Sequence, residues 1–174
     1  MNIFILDDCP EVAASYMCDK HIPKMIVESF QMLCTALHMH GNGTDEMYRP
    51  AYQHHPCTIW AGQSAENWLW LFEHAKALLD QYTKRYGKVH KCHLTVYQTL
   101  SVIYLPVFEH KGLTPFAQAM PDVYKSSDAI WSYRTYYLHD KAYFAKWEKG
   151  VDAPWWWSEN SVYVEPMQFR LASA

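Results

Sequence analysis

Between Pro23 and Gly41 most of the polar residues keep to a single line. At about 100° per residue, a helix from Pro23 to about His40 places Lys24, Glu28, Gln31, Thr35 and His38 in one narrow stripe. Val27 and Cys34 border that stripe on one side, Met25 and Met32 on the other, and the rest of the circumference is almost wholly apolar. A helix so nearly apolar all round is a mostly buried one. Its stripe is then either its one wet face or the wall of a cleft. Gly41-Asn42-Gly43 ends it.

The remaining periodicities are also helical. Ile3-Phe4-Ile5-Leu6 reads as a short strand or extended arm. Asp8, with Pro10 and Glu11 behind it, reads as the cap of a helix reaching about Asp19 or Lys20. Pro23 removes a backbone donor, so Asp19, Lys20 and His21 are assigned to a turn before a kink or fresh start. Residues 42–62 read as a long loop holding His54-His55-Pro56-Cys57-Thr58-Ile59-Trp60. A helix from about Ser64 to Tyr86, stopped by Gly87, carries an apolar face through Trp68, Leu71, Phe72, Ala75, Leu78, Leu79 and Tyr82. Asn67, His74 and Arg85 lie at its border, where such side chains snorkel or reach into a cleft. Further helices are expected over about 91–104 and 127–147, with a proline-broken loop over 106–125. The whole reads as one mostly α domain over 1–174: a compact helical bundle with an N-terminal arm, a core over about 1–147 and an irregular aromatic tail over 150–174.

Composition narrows the function classes. The chain has 174 residues, half of them hydrophobic, which suffices for a sizeable core. The first residues lack a basic leader and a cleavage site, and there is no apolar run of about 18 residues. A cytoplasmic, non-membrane protein is therefore expected. Five cysteines without a CxxC pair read as reduced thiols. The histidine pairs lack a metal-ligand spacing, and neither a metal nor a cofactor is called for. Thirteen Tyr, eight Trp and seven Phe suit a core, base stacking, or both. A net charge of −3 argues against strong non-specific duplex binding while leaving room for a local basic patch.

The chemistry-bearing residues concentrate in Cys18-Asp19-Lys20-His21-Ile22-Pro23-Lys24, followed by Glu28 and Gln31. Charges so close to apolar flanks need partners or a use. His21 titrates near neutral pH and suits a general acid or base, Glu28 suits stabilising a cation, and Asp19 and Lys20 complete the catalytic candidates. A lysine beside another cation in an apolar site has a depressed pKa, so Lys20 is a candidate for Schiff-base chemistry. Lys24, Gln31, His55, Trp60, Asn67, Arg85, Lys88, Tyr133, Arg134 and Lys141 are the substrate-binding candidates. Arg134 and Lys141, seven residues apart among aromatics, suit successive phosphates.

The order of an N-terminal arm, the CDKHIPK turn, the HHPCTIW loop, the YTKRYGKVH helix end and the YRTYYLHDKAYFAKW segment resembles a group of small proteins from tailed and marine bacteriophages, over residues 1 to about 147. More distantly it resembles the bacteriophage pyrimidine-dimer DNA glycosylase family, also called endonuclease V. That resemblance implies a compact helical domain acting on damaged DNA through a Schiff base made by the N-terminal amine. It also implies a carboxylate just before a proline in the first long helix, with basic residues gripping phosphates. Ile22-Pro23-Lys24 matches the family's hydrophobic-proline-basic step, and Lys20 takes a basic position. His21 stands where the family has its carboxylate, and Asn2 where it exposes a small residue after Met1 is removed.

Three functions follow as expectations. The first is an enzyme acting on a nucleobase, nucleotide or damaged DNA, with N-glycosidic cleavage and with or without abasic lyase activity. The second is a non-catalytic module binding a nucleotide, a nucleic acid or a host protein through Trp155, Trp156 and Trp157. The third is an internal ion network of Asp19, Lys20, His21, Lys24 and Glu28 that only fixes a helix kink. The partner is a nucleotide or nucleic acid, DNA among them, and the protein a monomer or weak oligomer, residing in the infected host cell if phage-encoded.

Overall fold

A computed structural model describes residues 1–157; the part of the aromatic tail from Ser158 onward lies outside the described residues. Among the described residues six α-helices carry the architecture: α1 (Pro10–Tyr16), α2 (His21–Met39), α3 (Pro56–Ala61), α4 (Ala65–Tyr86), α5 (Val96–Leu100) and α6 (Ala129–Tyr136). No strand ladder forms among the described residues, only an isolated bridge between Ser64 and His110. The mostly helical expectation agrees with this architecture.

Helix α2 is the buried centre, packed against α3 and α4, while α1 packs on α4. It starts two residues before Pro23, with no kink there. The first-turn N–H groups of a helix have no partner within it, so proline costs nothing at that position. His21 is thus the first residue of α2 rather than part of a turn, and its N–H and that of Ile22 donate to the Cys18 carbonyl. Twelve of the nineteen residues of α2 are buried, Thr35 of the polar stripe among them. The C-terminus closes at Gly41, whose φ of +77° favours glycine.

Helix α4 matches its expected span. Ser64 Oγ accepts from Asn67 N–H at 3.0 Å, and Gly87 ends the helix at φ +63°. Its border residues do not snorkel. Asn67, His74 and Arg85 are all buried and hydrogen-bonded inward.

Four other elements differ from expectation. Helix α1 is capped at Cys9, not Asp8, and Asp7 Oδ1 accepts the Cys9 N–H. The 42–62 loop contains α3, whose start is set by Pro56 and by His55 Nδ1 accepting from Cys57 N–H at 3.2 Å. Residues 91–104 break into a 3-10 turn and the short α5, because Thr95 sits at φ −128°, ψ −105°. Helix α6, capped by Asp128, widens into a π turn over Tyr137–Lys141 and stops well before Trp147. The backbone beyond is drawn to Asp19, whose N–H donates to the Lys146 carbonyl and whose Oδ2 accepts Glu148 N–H at 2.7 Å.

The N-terminal arm is extended and unpaired, and it runs through the core. Ile3, Phe4, Ile5 and Leu6 are buried. Phe4 adopts φ +54°, a conformation costing a non-glycine residue roughly 1–2 kcal/mol. Its ring stacks on His21 at 4.6 Å and packs edge-on to Tyr133 and Tyr137. Burying a phenylalanine contributes about 1.5–3 kcal/mol, enough to offset the strain. Asn2 holds the bend, because its Oδ1 accepts both Ile3 N–H and Phe4 N–H.

Candidate active site

The anchored arm brings the start of the chain onto the polar stripe of α2. Asn2 Nδ2 donates to the Ala119 carbonyl at 2.7 Å, and Tyr133 OH accepts the Ala119 N–H and donates to the Ala117 carbonyl. Thus pinned, Asn2 donates its backbone N–H to Glu28 Oε2 at 2.8 Å, and the Met1 amine lies 3.7 Å from the same oxygen. Lys24 Nζ lies 3.6 Å from the other oxygen, Oε1. The Met1 side chain is 2 % exposed, with Thr58 Oγ1 donating to its sulfur, whereas the residue as a whole is half-buried. The exposed part of Met1 is therefore main chain, where the amine is.

His55 completes this corner. Its ring faces the Met1 backbone, and burial followed by the amine's positive charge lowers its pKa. With Nδ1 accepting from Cys57 N–H, a neutral ring carries its proton on Nε2. An amine, a carboxylate, a lysine and a neutral imidazole thus meet at a partly open surface. Such a group can perform covalent amine chemistry, with the carboxylate balancing developing positive charge.

The proposed catalytic run divides. Glu28 lies in this corner. Asp19 is buried and holds Arg85, whose Nη1 donates to Asp19 Oδ1 at 3.1 Å and to the Met17 carbonyl at 2.7 Å, while Nη2 donates to the Ser15 carbonyl at 2.8 Å. This pair ties α4 to the α1–α2 connection. His21 lies two turns before Glu28 on the same face of α2, but it is enclosed. Its Nδ1 is 2.6 Å from Tyr137 OH, and Phe4, Tyr137 and Phe144 surround the ring. Burial, and then the charges of Lys24, Lys141 and Lys20, push its pKa down to about 3. His21 is neutral at pH 7, whereas the sequence reading expected a group titrating near neutral pH.

The binding candidates also separate into groups. Lys20, Lys24 and Lys141 all lie close enough to His21 for their charges to act on it. Lys20 sits over the Phe144 ring at 4.7 Å, and Lys141 over Tyr136 at 4.4 Å. Gln31 is half-buried on the stripe beyond Glu28. Lys88 is exposed past the end of α4. Trp60, Asn67 and Tyr133 are core residues, with Asn67 joining the Trp60 carbonyl to Thr114. Arg134 holds the arm, its Nε donating to the Leu6 carbonyl and its Nη2 to Asp7 Oδ2, beneath Trp155 and Trp156. Arg134 and Lys141 therefore do not stand together as two phosphate ligands.

Among the described residues no three His, Cys, Asp or Glu gather as a metal site, and no helix is long and apolar enough to cross a membrane. The family resemblance implied an N-terminal amine as nucleophile, but neither Met1 nor its anchor Asn2 stood among the site candidates read from the residues. The available signal was the apolar run Ile3–Leu6, which carries the chain's first residues inside with it.

No curated protein and no solved structure matches this chain. A family match does cover residues 1–94, which include the arm, α1 to α4, Lys24, Glu28 and His55. That family's activity is DNA glycosylase action on damaged DNA. With more than half its length matched, the chain belongs to the pyrimidine dimer DNA glycosylase family.

Proposed function

We propose that the α-amine at the start of this chain is the nucleophile of a DNA glycosylase with associated abasic lyase activity, and that Glu28 is its catalytic carboxylate. The observation that carries this reading is the amine 3.7 Å from Glu28 Oε2. The amine reacts as its free base. It attacks C1′ of the damaged nucleotide, and the base departs with the electrons of the glycosidic bond. Glu28 balances the positive charge that develops on the sugar. Loss of a proton from nitrogen and opening of the sugar ring leave an imine between chain and DNA. Hydrolysis of the imine releases an abasic site. Abstraction of a C2′ proton instead expels the 3′ phosphate and cuts the strand.

The role of Glu28 accounts for the His21 departure. A carboxylate two turns further along the same helical stripe, about 10 Å on, takes the place of one at position 21. Removal of Met1 would leave Asn2 nitrogen as the amine, and that atom is already 2.8 Å from Glu28. The reading holds for either amine. Lys20, Lys24 and Lys141 supply the local positive surface that a chain of net charge −3 needs to hold phosphates.

The test is borohydride reduction in the presence of an abasic duplex. The wild type should give a covalent protein–DNA adduct, and Glu28→Gln should still fold but turn over at least a hundredfold more slowly. A wild type that gives no adduct overturns the proposal.

A further inference from the structure

Two histidines in this chain begin a helical turn in the same way. His55 Nδ1 accepts the Cys57 N–H at 3.2 Å at the start of α3, and His90 Nδ1 accepts the Cys92 N–H at 3.2 Å before the 3-10 turn over Lys91–Leu94. A neutral ring bound in this way keeps its proton on Nε2. The two differ in what the rest of the ring meets. The His90 ring packs edge-on to Tyr82 at 4.9 Å. The His55 ring is hydrogen-bonded to the backbone of Met1. A protonated Nε2 needs an acceptor there, and the carbonyl is the one that the Met1 backbone offers. Capping alone therefore does not account for His55.

The Met1 carbonyl and the Asn2 N–H belong to one planar peptide group. Glu28 Oε2 accepts that N–H at 2.8 Å, so α2 holds one edge of the group and His55, from α3, holds the other. Thr58 lies one turn after His55 on the same face of α3, and it donates to Met1 Sδ at 3.6 Å. The peptide plane and the side chain of Met1 are thus both held. With them is set the direction of the amine, 3.7 Å from Glu28 Oε2. Asn2 is buried, whereas part of the Met1 main chain is open, so the amine within reach of a substrate is that of Met1. A chain terminus otherwise turns freely about its last bonds, and a reacting group misplaced by about 1 Å can lose on the order of a hundredfold in rate.

We infer that His55 is a positioning residue for the amine, its Nε2–H holding the Met1 carbonyl so that the amine stays turned toward Glu28. The inference rests on the proposed site with Met1 in place, but one arm of its test needs no DNA. His55→Asn keeps a side chain that caps a helix but is too short to reach Met1. His55→Gln puts an amide N–H near the place of Nε2–H. Three quantities are measured: single-turnover borohydride trapping on an abasic duplex, affinity for that duplex, and the rate at which acetic anhydride acylates the α-amine without DNA. His55→Asn should melt within a few degrees of the wild type and bind the duplex within about twofold, yet trap about tenfold to a hundredfold more slowly. Its α-amine, released from Glu28, should acylate several-fold faster. His55→Gln should regain most of the trapping rate, and His90→Asn should trap and acylate as the wild type does. A His55→Asn protein that traps and acylates as its parent overturns the inference. So does a loss on His90→Asn equal to that on His55→Asn, which would reduce both histidines to caps, and so does an intact mass showing a mature chain that begins at Asn2. A wild type that gives no adduct, but whose acylation still depends on His55, overturns the catalytic reading and leaves the positioning role standing.

Discussion

Asp19 and Glu28 are nine residues apart in the same polar run, yet they are bound in opposite ways. Asp19 is saturated: it accepts from Arg85 and from Glu148 N–H, and its own backbone holds Lys146 and Tyr86. Glu28 has one short hydrogen bond, from Asn2 N–H, and two looser ion contacts at 3.7 and 3.6 Å. A carboxylate enclosed by donors organises backbone and has nothing left for a substrate. One that faces a cation at slightly more than hydrogen-bond distance can follow charge as it moves to a sugar. The two carboxylates separate the structural from the chemical half of one sequence motif.

That contrast can be broken by substitution. Glu28→Gln keeps the shape and removes the charge, so single-turnover base release should fall by about 10²–10⁴-fold, with little change in melting temperature. Asp19→Asn should do the reverse. Leaving Arg85 buried without its counter-charge should cost about 3–5 kcal/mol of stability, measured by urea denaturation, while the protein that remains folded cleaves at close to the wild-type rate. Exchanged outcomes for the two variants would dismantle the division.

His21 sharpens the comparison, since it shares the face of Glu28 but is enclosed like Asp19. His21→Ala should lower stability at pH 7 by about 2–4 kcal/mol through the lost ring contacts and the lost hydrogen bond. Its pKa of about 3 in the fold lies below the 6.5 of an unfolded chain. The unfolded state therefore binds the extra proton first, and stability falls as pH drops from about 6.5 towards 3. His74, held down to about 4 by burial, adds to the same loss. The wild type should lose about 1.4 kcal/mol per pH unit for each histidine below pH 6.5, and His21→Ala should show a shallower slope. An unchanged slope would mean that His21 is not buried neutral.

The smallest effect is expected at Lys24, which is well exposed. Lys24→Ala should weaken duplex binding a few-fold, with a salt dependence lower by about one phosphate contact. A loss as large as that of Glu28→Gln would place Lys24 within the chemistry.

Much of this fold was legible because helical periodicity and end signals are local. Ser64, Gly87 and the apolar face between them defined α4, and the narrow stripe defined α2 as the buried helix. Elements governed by distant contacts were not legible. The end of α6 depends on Asp19 pulling residues 146–148 away, over 120 positions off in sequence. Pro23 was overread as a break, because a proline in the first turn of a helix looks the same in sequence as one that ends a helix. At the site, Glu28, Lys24 and His55 stood among the sequence candidates, and residue type alone marked them. The division of Asp19 from Glu28 could not be seen there, because it depends on which partner, Arg85 or the amine, each carboxylate meets in space. The amine of Met1 was visible only through the family resemblance, for a related reason: its chemistry belongs to a backbone atom, which carries no residue-type signal.

The central claim is that the chain's own α-amine reacts beside Glu28, and peptide mapping of the borohydride-trapped adduct tests it most directly. Digestion and mass spectrometry should find the reduced sugar on the peptide that begins the mature chain, on its α-nitrogen. An adduct on Lys20 or Lys24, with the α-amine left free, would contradict the account.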